Sequence, residues 1–420
     1  MKKGGLSAYI AVTAAYWAFM LTDGALRMLV LLHFHTLGFS PVQLAYLFLL
    51  YEVMGIVTNL SAGWLAGRFG LTSTLYAGLA IQIAALVALA GLDPAWPVAV
   101  SVVYVMLVQG LSGVAKDLAK MSSKSAVKLL APEADGALFR WVAMLTGSKN
   151  AVKGIGFFLG AALLGLAGFR ASVILMAVAL ALILVAVALF MPAGLPAGRK
   201  GTKISAVIPK DPRIRALSLA RLFLFGARDT WFVVGIPVFF YGVLSDGTPE
   251  GARAAFFLIG GFMALWIVFY GAVQASAPRL LAAQTATPAA TVAAARFWVG
   301  VLSVIPALLA VAASVQMPAL VPVVVTGLLI FGAVFALNSA LHSYLFLEFS
   351  RSDRVTLDVG FYYMSNAAGR LLGTLLSGVS YQVGGVAGCL GVAALLSIAS
   401  WLAAGRLTAL GRTGDGPPRP

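Results

Sequence analysis

Long apolar runs alternate with short polar interruptions along the whole chain. Twelve runs stand out, at roughly 8–32, 42–66, 73–92, 98–119, 138–166, 171–191, 217–242, 254–276, 294–314, 319–347, 357–381 and 386–405. A helix needs about 20 apolar residues to cross a bilayer core. Backbone groups in lipid have no water to bond, so runs of this length are expected to be helices. A membrane barrel would show short segments of alternating polarity instead. The first run is too long for the apolar part of a secretory signal, and no small-residue cleavage pattern follows it, so it is expected to be a span.

The interruptions set the orientation. With the N-terminus inside, the inner connections carry Lys2, Lys3, Arg68, Arg140, Arg199, Lys200, Lys203, Lys210, Arg213, Arg215, Arg279, Arg296, Arg351, Arg354, Arg406, Arg412 and Arg419. The outer ones hold little beyond Arg170 and Arg253, beside Asp93, Asp246 and Glu250. Cytoplasmic loops are the basic ones, so both termini are expected in the cytoplasm. Composition agrees: 61% of the 420 residues are hydrophobic and 10% are charged. The net charge of +15 follows from the basic inner loops and requires no nucleic acid. The single cysteine, Cys389, forms no disulfide within the chain, and no Cys/His set suggests a metal or other cofactor.

The segment 192–216, PAGLPAGRKGTKISAVIPKDPRIRA, divides the runs six and six. The expected organisation is a six-helix bundle over 1–191, a basic cytoplasmic linker over 192–216, a second bundle over 217–406 and a cytoplasmic tail over 407–420. The halves are weakly self-similar. Asp23 and Asp229 are 206 residues apart in spans 1 and 7, and Asn150 and Asn366 are 216 apart in spans 5 and 11. Parallel six-helix repeats with a site near the midplane are the architecture of major facilitator transporters. The loop GWLAGRFGL at 63–71 is a decayed form of that superfamily's signature: Gly63, Arg68 and Gly70 fit, whereas Gly67 replaces an acid and Leu71 a base. The fold class expected is therefore all-α integral membrane, with twelve transmembrane helices in two bundles.

An ionisable side chain in a span costs a few kcal/mol and asks for a reason. Near span centres lie the bases Arg27, Lys149, Lys153, Arg228 and Arg370 and the acids Asp23, Glu52 and Asp229. Five bases against three acids leave two positive charges, which a bound polyanion would offset; Arg and Lys suit phosphate-like oxygens. Those five bases are the candidate substrate ligands. Asp23, Glu52 and Asp229 are candidates for coupling or charge pairing. Asp23 and Arg27, four apart on one helix face, form either a structural intrahelical pair or part of the site. Glu52 is either a proton carrier or the partner of a lysine. Arg228 and Asp229 point roughly 100° apart and are expected to have different partners.

Span 4 runs into a ladder, SGVAKDLAKMSSKSAVKLLAPE, with Lys116, Lys120, Lys124 and Lys128 at every fourth position. It climbs about 18 Å at 1.5 Å per residue. Lys124 and Lys128 read as positive-inside anchoring. Lys116 and Lys120, with Arg221 in span 7, are candidates for a cytoplasmic vestibule that concentrates anions.

The strings TDGALRMLVLLHFHTLGFSP, YEVMGIVTNLSAGW, SGVAKDLAKMSSKSAVKLL, LTGSKNAVKGIGFFLG and RLFLFGARDTWFVVGIPVF closely resemble the ArsJ-type organoarsenical efflux permeases of the major facilitator superfamily. The resemblance implies export of 1-arseno-3-phosphoglycerate across the bacterial inner membrane, conferring arsenate resistance. It also implies a functional partnership with the glyceraldehyde-3-phosphate dehydrogenase that makes this ester. It implies no residue-by-residue site. Arg27 and Arg228 stand where facilitator antiporters for glycerol 3-phosphate carry a paired arginine. The alternative is an organophosphate/phosphate antiporter for unmodified sugar phosphates or phosphoglycerate. A membrane sensor is a further class, and an enzyme is not expected, since no nucleophile–base set converges. A coupling proton, the lipid bilayer and a monomeric state complete the expectation.

Overall fold

The computed structural model describes residues 3–130, 137–190, 209, 211–349 and 355–413, with the backbone alone at 3–9, 62–69, 71, 124–130, 137–147, 190, 347, 355–359 and 408–413. The described residues form helices joined by short connections: α1 Lys3–Thr36, α2 Pro41–Phe69, α3 Leu71–Ala90, α4 Val98–Leu130, α5 Ala137–Phe190, α6 Pro212–Thr230, α7 Ile236–Leu244, α8 Pro249–Leu280, α9 Pro288–Ser314, α10 Leu320–Phe349 and α11 Val355–Thr413. Among them, ten helices are long and apolar enough to cross a membrane. Two of these, Ser148–Leu189 and Gly360–Leu407, are 42 and 48 residues long, about twice a single span. Each breaks at glycine where the sequence separates two runs. Gly168 has φ 75° and ψ 176° in α5, and Gly384–Gly385 interrupt α11, with Gly385 at φ 57°. Positive φ is costly for any side chain, and glycine supplies it freely.

The expected seventh span is one helix with a bulge. Asp211 caps α6, its carboxylate accepting the Arg213 backbone N–H at 2.8 Å, and Pro212 occupies the first turn. α6 therefore starts inside the expected linker; 192–208 and Lys210 of that linker lie outside the described residues. A π-turn, Trp231–Gly235, joins α6 to α7. A π-turn frees backbone N–H groups from the regular ladder. Here the Ser377 hydroxyl oxygen accepts the N–H groups of Val234 and Gly235, each at 3.1 Å. In the 63–71 stretch, α2 runs on to Phe69 and Gly70 turns the chain into α3 at φ 75°; the side chain of Arg68 lies outside the described residues.

The chain forms two compact units, one from α1–α5 with Phe240–Val268, the other from α6 to Phe239 with Phe269 onward. In both, large apolar side chains turn outward along the helices, among them Leu166, Leu182 and Leu189 of α5 and Leu395 and Leu402 of α11. Bilayer hydrocarbon is the solvent that suits such a surface.

Glycine sets the closest helix approach in each unit, since small residues let backbones meet. A Cβ on Gly156 would stand 2.5 Å from the Leu21 carbonyl oxygen, and one on Gly160 would stand 2.0 Å from that of Ala25, so α1 and α5 touch backbone to backbone. In the second unit, a Cβ on Gly369 would lie 2.2 Å from the Leu222 carbonyl oxygen and one on Gly373 2.6 Å from that of Gly226. These contacts fix a repeat register. Leu21 to Leu222 and Ala25 to Gly226 are both steps of 201, while Gly156 to Gly369 and Gly160 to Gly373 are both steps of 213. The offsets of 206 for Asp23 and Asp229 and 216 for Asn150 and Asn366 are thus not the packing register. The register of 201 instead makes Arg27 and Arg228 equivalent.

Candidate functional site

In the first unit the charged side chains of α1, α2, α4 and α5 converge on Tyr51. Asp23 does not pair with Arg27, its neighbour one turn on. Its carboxylate accepts the Tyr51 hydroxyl at 2.6 Å and the Lys153 ammonium at 3.0 Å. The α1–α5 glycine contact makes this pair reachable: a Cβ on Gly24 would stand 2.6 Å from the Lys153 carbonyl oxygen. Arg27 reaches α2 instead, both its Nη groups donating to Glu52 Oε1 at 3.3 Å. Its guanidinium lies 5.2 Å from the centre of the Phe48 ring and 5.5 Å from that of Tyr51. Lys116 Nζ of α4 stands 3.9 Å from the centre of the same Tyr51 ring, within cation–π range. Tyr51 is seated by a second close approach, a Cβ on Gly113 falling 2.7 Å from its carbonyl oxygen.

A second cluster lies further along α2 and α4. Asp117 accepts the Thr58 hydroxyl and the Lys120 ammonium, the latter at 3.2 Å, and Lys120 also donates to Asn59 Oδ1 at 2.9 Å. Asp117, Tyr51 and Thr58 are absent from the candidates that the sequence suggests. For Asp117 the signal was present: an acid inside SGVAKDLAK, three positions before Lys120. The lysine ladder around it reads as anchoring and hides it. The side chains of Lys124, Lys128 and Arg140 lie outside the described residues. Lys149, one turn before Lys153, is half-buried.

In the second unit Arg228 and Asp229 are partners, contrary to the divergence expected of adjacent residues. The Arg228 Nε donates to Asp229 Oδ1 at 2.6 Å, the long side chain bending back over its neighbour. The guanidinium rests against Phe225 at 4.9 Å and Phe335 at 5.5 Å. Arg221, expected at a vestibule, is buried inside the unit. Its Nε donates to Asn366 Oδ1 at 2.6 Å, its Nη1 to the Ser339 carbonyl at 3.2 Å, and its guanidinium covers Tyr362 at 4.4 Å. Lys116, likewise expected at a vestibule, is also buried. These two bases therefore belong to the interior clusters rather than to an open mouth, because neighbouring aromatic rings and carbonyls give their charge a seat. Arg370 is half-buried on α11, next to the Gly369 contact. Tyr362 of the FYY stretch is packing, stacked on Phe346 at 4.3 Å.

One asymmetry is common to four ion pairs within the spans of the described residues. The acid is sealed and the base is partly open: Arg27 and Glu52 are 15% and 0% exposed, Lys120 and Asp117 19% and 2%, Lys153 and Asp23 22% and 2%, Arg228 and Asp229 17% and 2%. In each of these pairs the base is the more open partner and the carboxylate the sealed one. No group of three or more metal-ligating side chains occurs among the described residues.

No family model and no curated protein matches the chain. Solved structures do match. One is from a study of substrate recognition in proton-dependent oligopeptide transporters, with TM-score 0.70 and 13% identity over 97% of this chain and 99% of that one. Another is a POT family transporter in complex with a thioalcohol-conjugated peptide, with TM-score 0.74 and 13% identity over 97% of this chain and 96% of that one. At this identity the likeness is one of fold. The chain is a multi-pass membrane protein, helical among its described residues, with the fold of these transporters.

Proposed function

We propose that this protein is a secondary active transporter of the bacterial inner membrane that exports a polyanionic ester, 1-arseno-3-phosphoglycerate, by alternating access, and so confers arsenate resistance. The observation that carries the reading is the partly open base beside a sealed acid in the four intramembrane pairs described above. Arg27, Lys149 and Lys153 in one unit and Arg228 and Arg370 in the other are the proposed ligands of the oxyanion groups. Lys116 and Lys120 add positive charge beside them. Twelve crossings with both termini in the cytoplasm, and a monomeric state, belong to the same proposal. The particular ester is taken from the resemblance to ArsJ-type permeases, and a cytoplasmic glyceraldehyde-3-phosphate dehydrogenase would supply it.

The solved neighbours are named for oligopeptides. A peptide brings an ammonium group as well as a carboxylate, and carboxylates at 0–2% exposure are poorly placed to receive it. The same bases would serve an organophosphate/phosphate antiporter, and the test separates the two. An arsenate-sensitive strain expressing the arsenylating dehydrogenase is given this protein, or its Lys149→Gln or Arg370→Gln variant at equal membrane level. Protection by the wild type and its loss in the variants is expected. Absence of protection by the wild type, together with uptake of labelled phosphoglycerate, would move the antiporter to the front.

A further inference from the structure

We infer that the transported anion binds together with a proton, because anion and Asp23 compete for one base, Lys153. The inference rests on the polyanion reading above and specifies how that site is coupled. Asp23 is 2% exposed and is reached only through its partners. Lys153 faces it from α5, and Lys149 stands one turn earlier on the same helix. From α2 the Tyr51 hydroxyl faces it, with Glu52 alongside and bonded to Arg27. From α4, Lys116 lies over the far side of the Tyr51 ring. Arg27 is one turn on along α1 itself. Of the bases that hold or face a carboxylate here, Lys153 at 22% is more open than Arg27 at 15% and than the buried Lys116. It is therefore the cation that an oxyanion arriving from solvent can take.

When the anion takes Lys153, Asp23 keeps the Tyr51 hydroxyl but loses the ammonium that balanced its charge. A carboxylate sealed from water that loses its bonded counter-ion, with only the more distant charge of Lys116 left to offset it, is strongly unfavourable, and one proton on Asp23 removes that charge. The Arg27–Glu52 pair repeats the arrangement one turn along, with a guanidinium that keeps its proton. Anion and proton thus favour each other's binding, and the linkage is reciprocal. Exchange of an outgoing anion for an incoming proton at this site would require the opposite sign. An exporter built this way carries the proton out with the anion and is driven by the inside-negative potential acting on the cargo's remaining negative charge.

The test is a binding titration of purified full-length protein with 3-phosphoglycerate between pH 6 and pH 8, wild type against Asp23→Asn. The asparagine mimics a permanently protonated carboxyl, and comparing the two proteins cancels the ligand's own titration. Asp23→Asn is expected to bind more tightly than wild type at pH 8. The wild type should then close the gap on acidification, by up to about tenfold per pH unit for a single linked proton. Identical pH profiles, or weaker binding by Asp23→Asn at pH 8, would overturn the inference while leaving the anion site standing. No binding by the wild type at any pH would overturn the anion site itself. A second measurement needs no variant. Sulfate, a dianion throughout this range, should draw protons from weakly buffered solution as it binds the wild type, and proton release or no change would refute the linkage.

Discussion

The Arg27–Glu52 pair separates a structural role from a binding role. Both Nη groups of Arg27 donate to the same Glu52 oxygen, and Glu52 is fully buried. Arg27→Gln removes both donors from a carboxylate that water does not reach. Breaking a buried pair from one side costs about 3–5 kcal/mol. The two bonds, at 3.3 Å, lie at the long end of the hydrogen-bond range, and Arg27 is 15% exposed, so a loss of about 3 kcal/mol is expected. Arg27→Gln/Glu52→Gln removes the buried charge as well and should lie within about 1 kcal/mol of wild type, about 2 kcal/mol more stable than the single variant. Unfolding of the purified proteins in detergent, followed by tryptophan fluorescence, reads the stability. The arsenate-resistance assay reads transport. The double variant should be stable and inactive, because Arg27 is proposed to bind the anion and its equivalent in the repeat is Arg228. A single variant as stable as wild type would refute the buried-pair reading. A double variant that restores resistance would remove Arg27 from the anion site.

Three further outcomes are expected. Gly160→Val places a side chain where even a Cβ would be 2.0 Å from the Ala25 carbonyl oxygen; α1 and α5 must part, Asp23 and Lys153 separate, and the yield of folded protein should collapse, whereas Gly261→Ala, with nothing near its Cβ, should express normally. Ser377→Ala strips the acceptor from two N–H groups of the π-turn and should cost about 1–3 kcal/mol, with Ser377→Thr recovering most of it in the same melting experiment. At the start of α6, burial alone would raise the Asp211 carboxyl, but the hydrogen bonds and charge of Arg213 outweigh it and hold it below its ordinary value. A lowered folded value stabilises above the unfolded aspartate range, near about 3.9, and the contribution disappears as pH falls through the folded value; the melting-temperature gap between wild type and Asp211→Asn should be constant above about pH 5 and close below pH 4.

Much of the fold is legible because a span has a length. Runs of about 20 apolar residues with polar interruptions are hard to build any other way, and even the breaks at Gly168 and Gly384–Gly385 fall between runs separated by sight. The π-turn was not legible, since WFVVG is as apolar as its flanks and its cause, Ser377, is far along the chain. The candidate bases and acids were legible as costly charges. Their partners were not, because spacing reports only on one helix. Asp23 and Arg27 share a face, yet Asp23 pairs with Lys153 on α5, which glycines bring into backbone contact with α1, and Arg27 pairs with Glu52 on α2. Arg228 and Asp229 diverge at Cα, yet a side chain as long as arginine folds back.

The charge count took its strength from a surplus of bases, and the structure replaces that with geometry. Asp117 joins the acids and Lys116 and Lys120 the bases, so in the two clusters of the first unit Arg27, Lys116, Lys120, Lys149 and Lys153 face Asp23, Glu52 and Asp117. The count alone would suit any site with spare positive charge. On the proposed function, selection of an anion would rest on the layering, with carboxylates at 0–2% exposure behind bases at 15–22%. A sealed acid holds its base in place without presenting negative charge to an approaching solute. It also keeps the cost of an unoccupied cationic cluster low, because each base has a counter-ion until a better one arrives. The incoming anion must then outcompete a carboxylate rather than fill an empty seat, so affinity is moderated and release on the far side is possible, as a transporter requires.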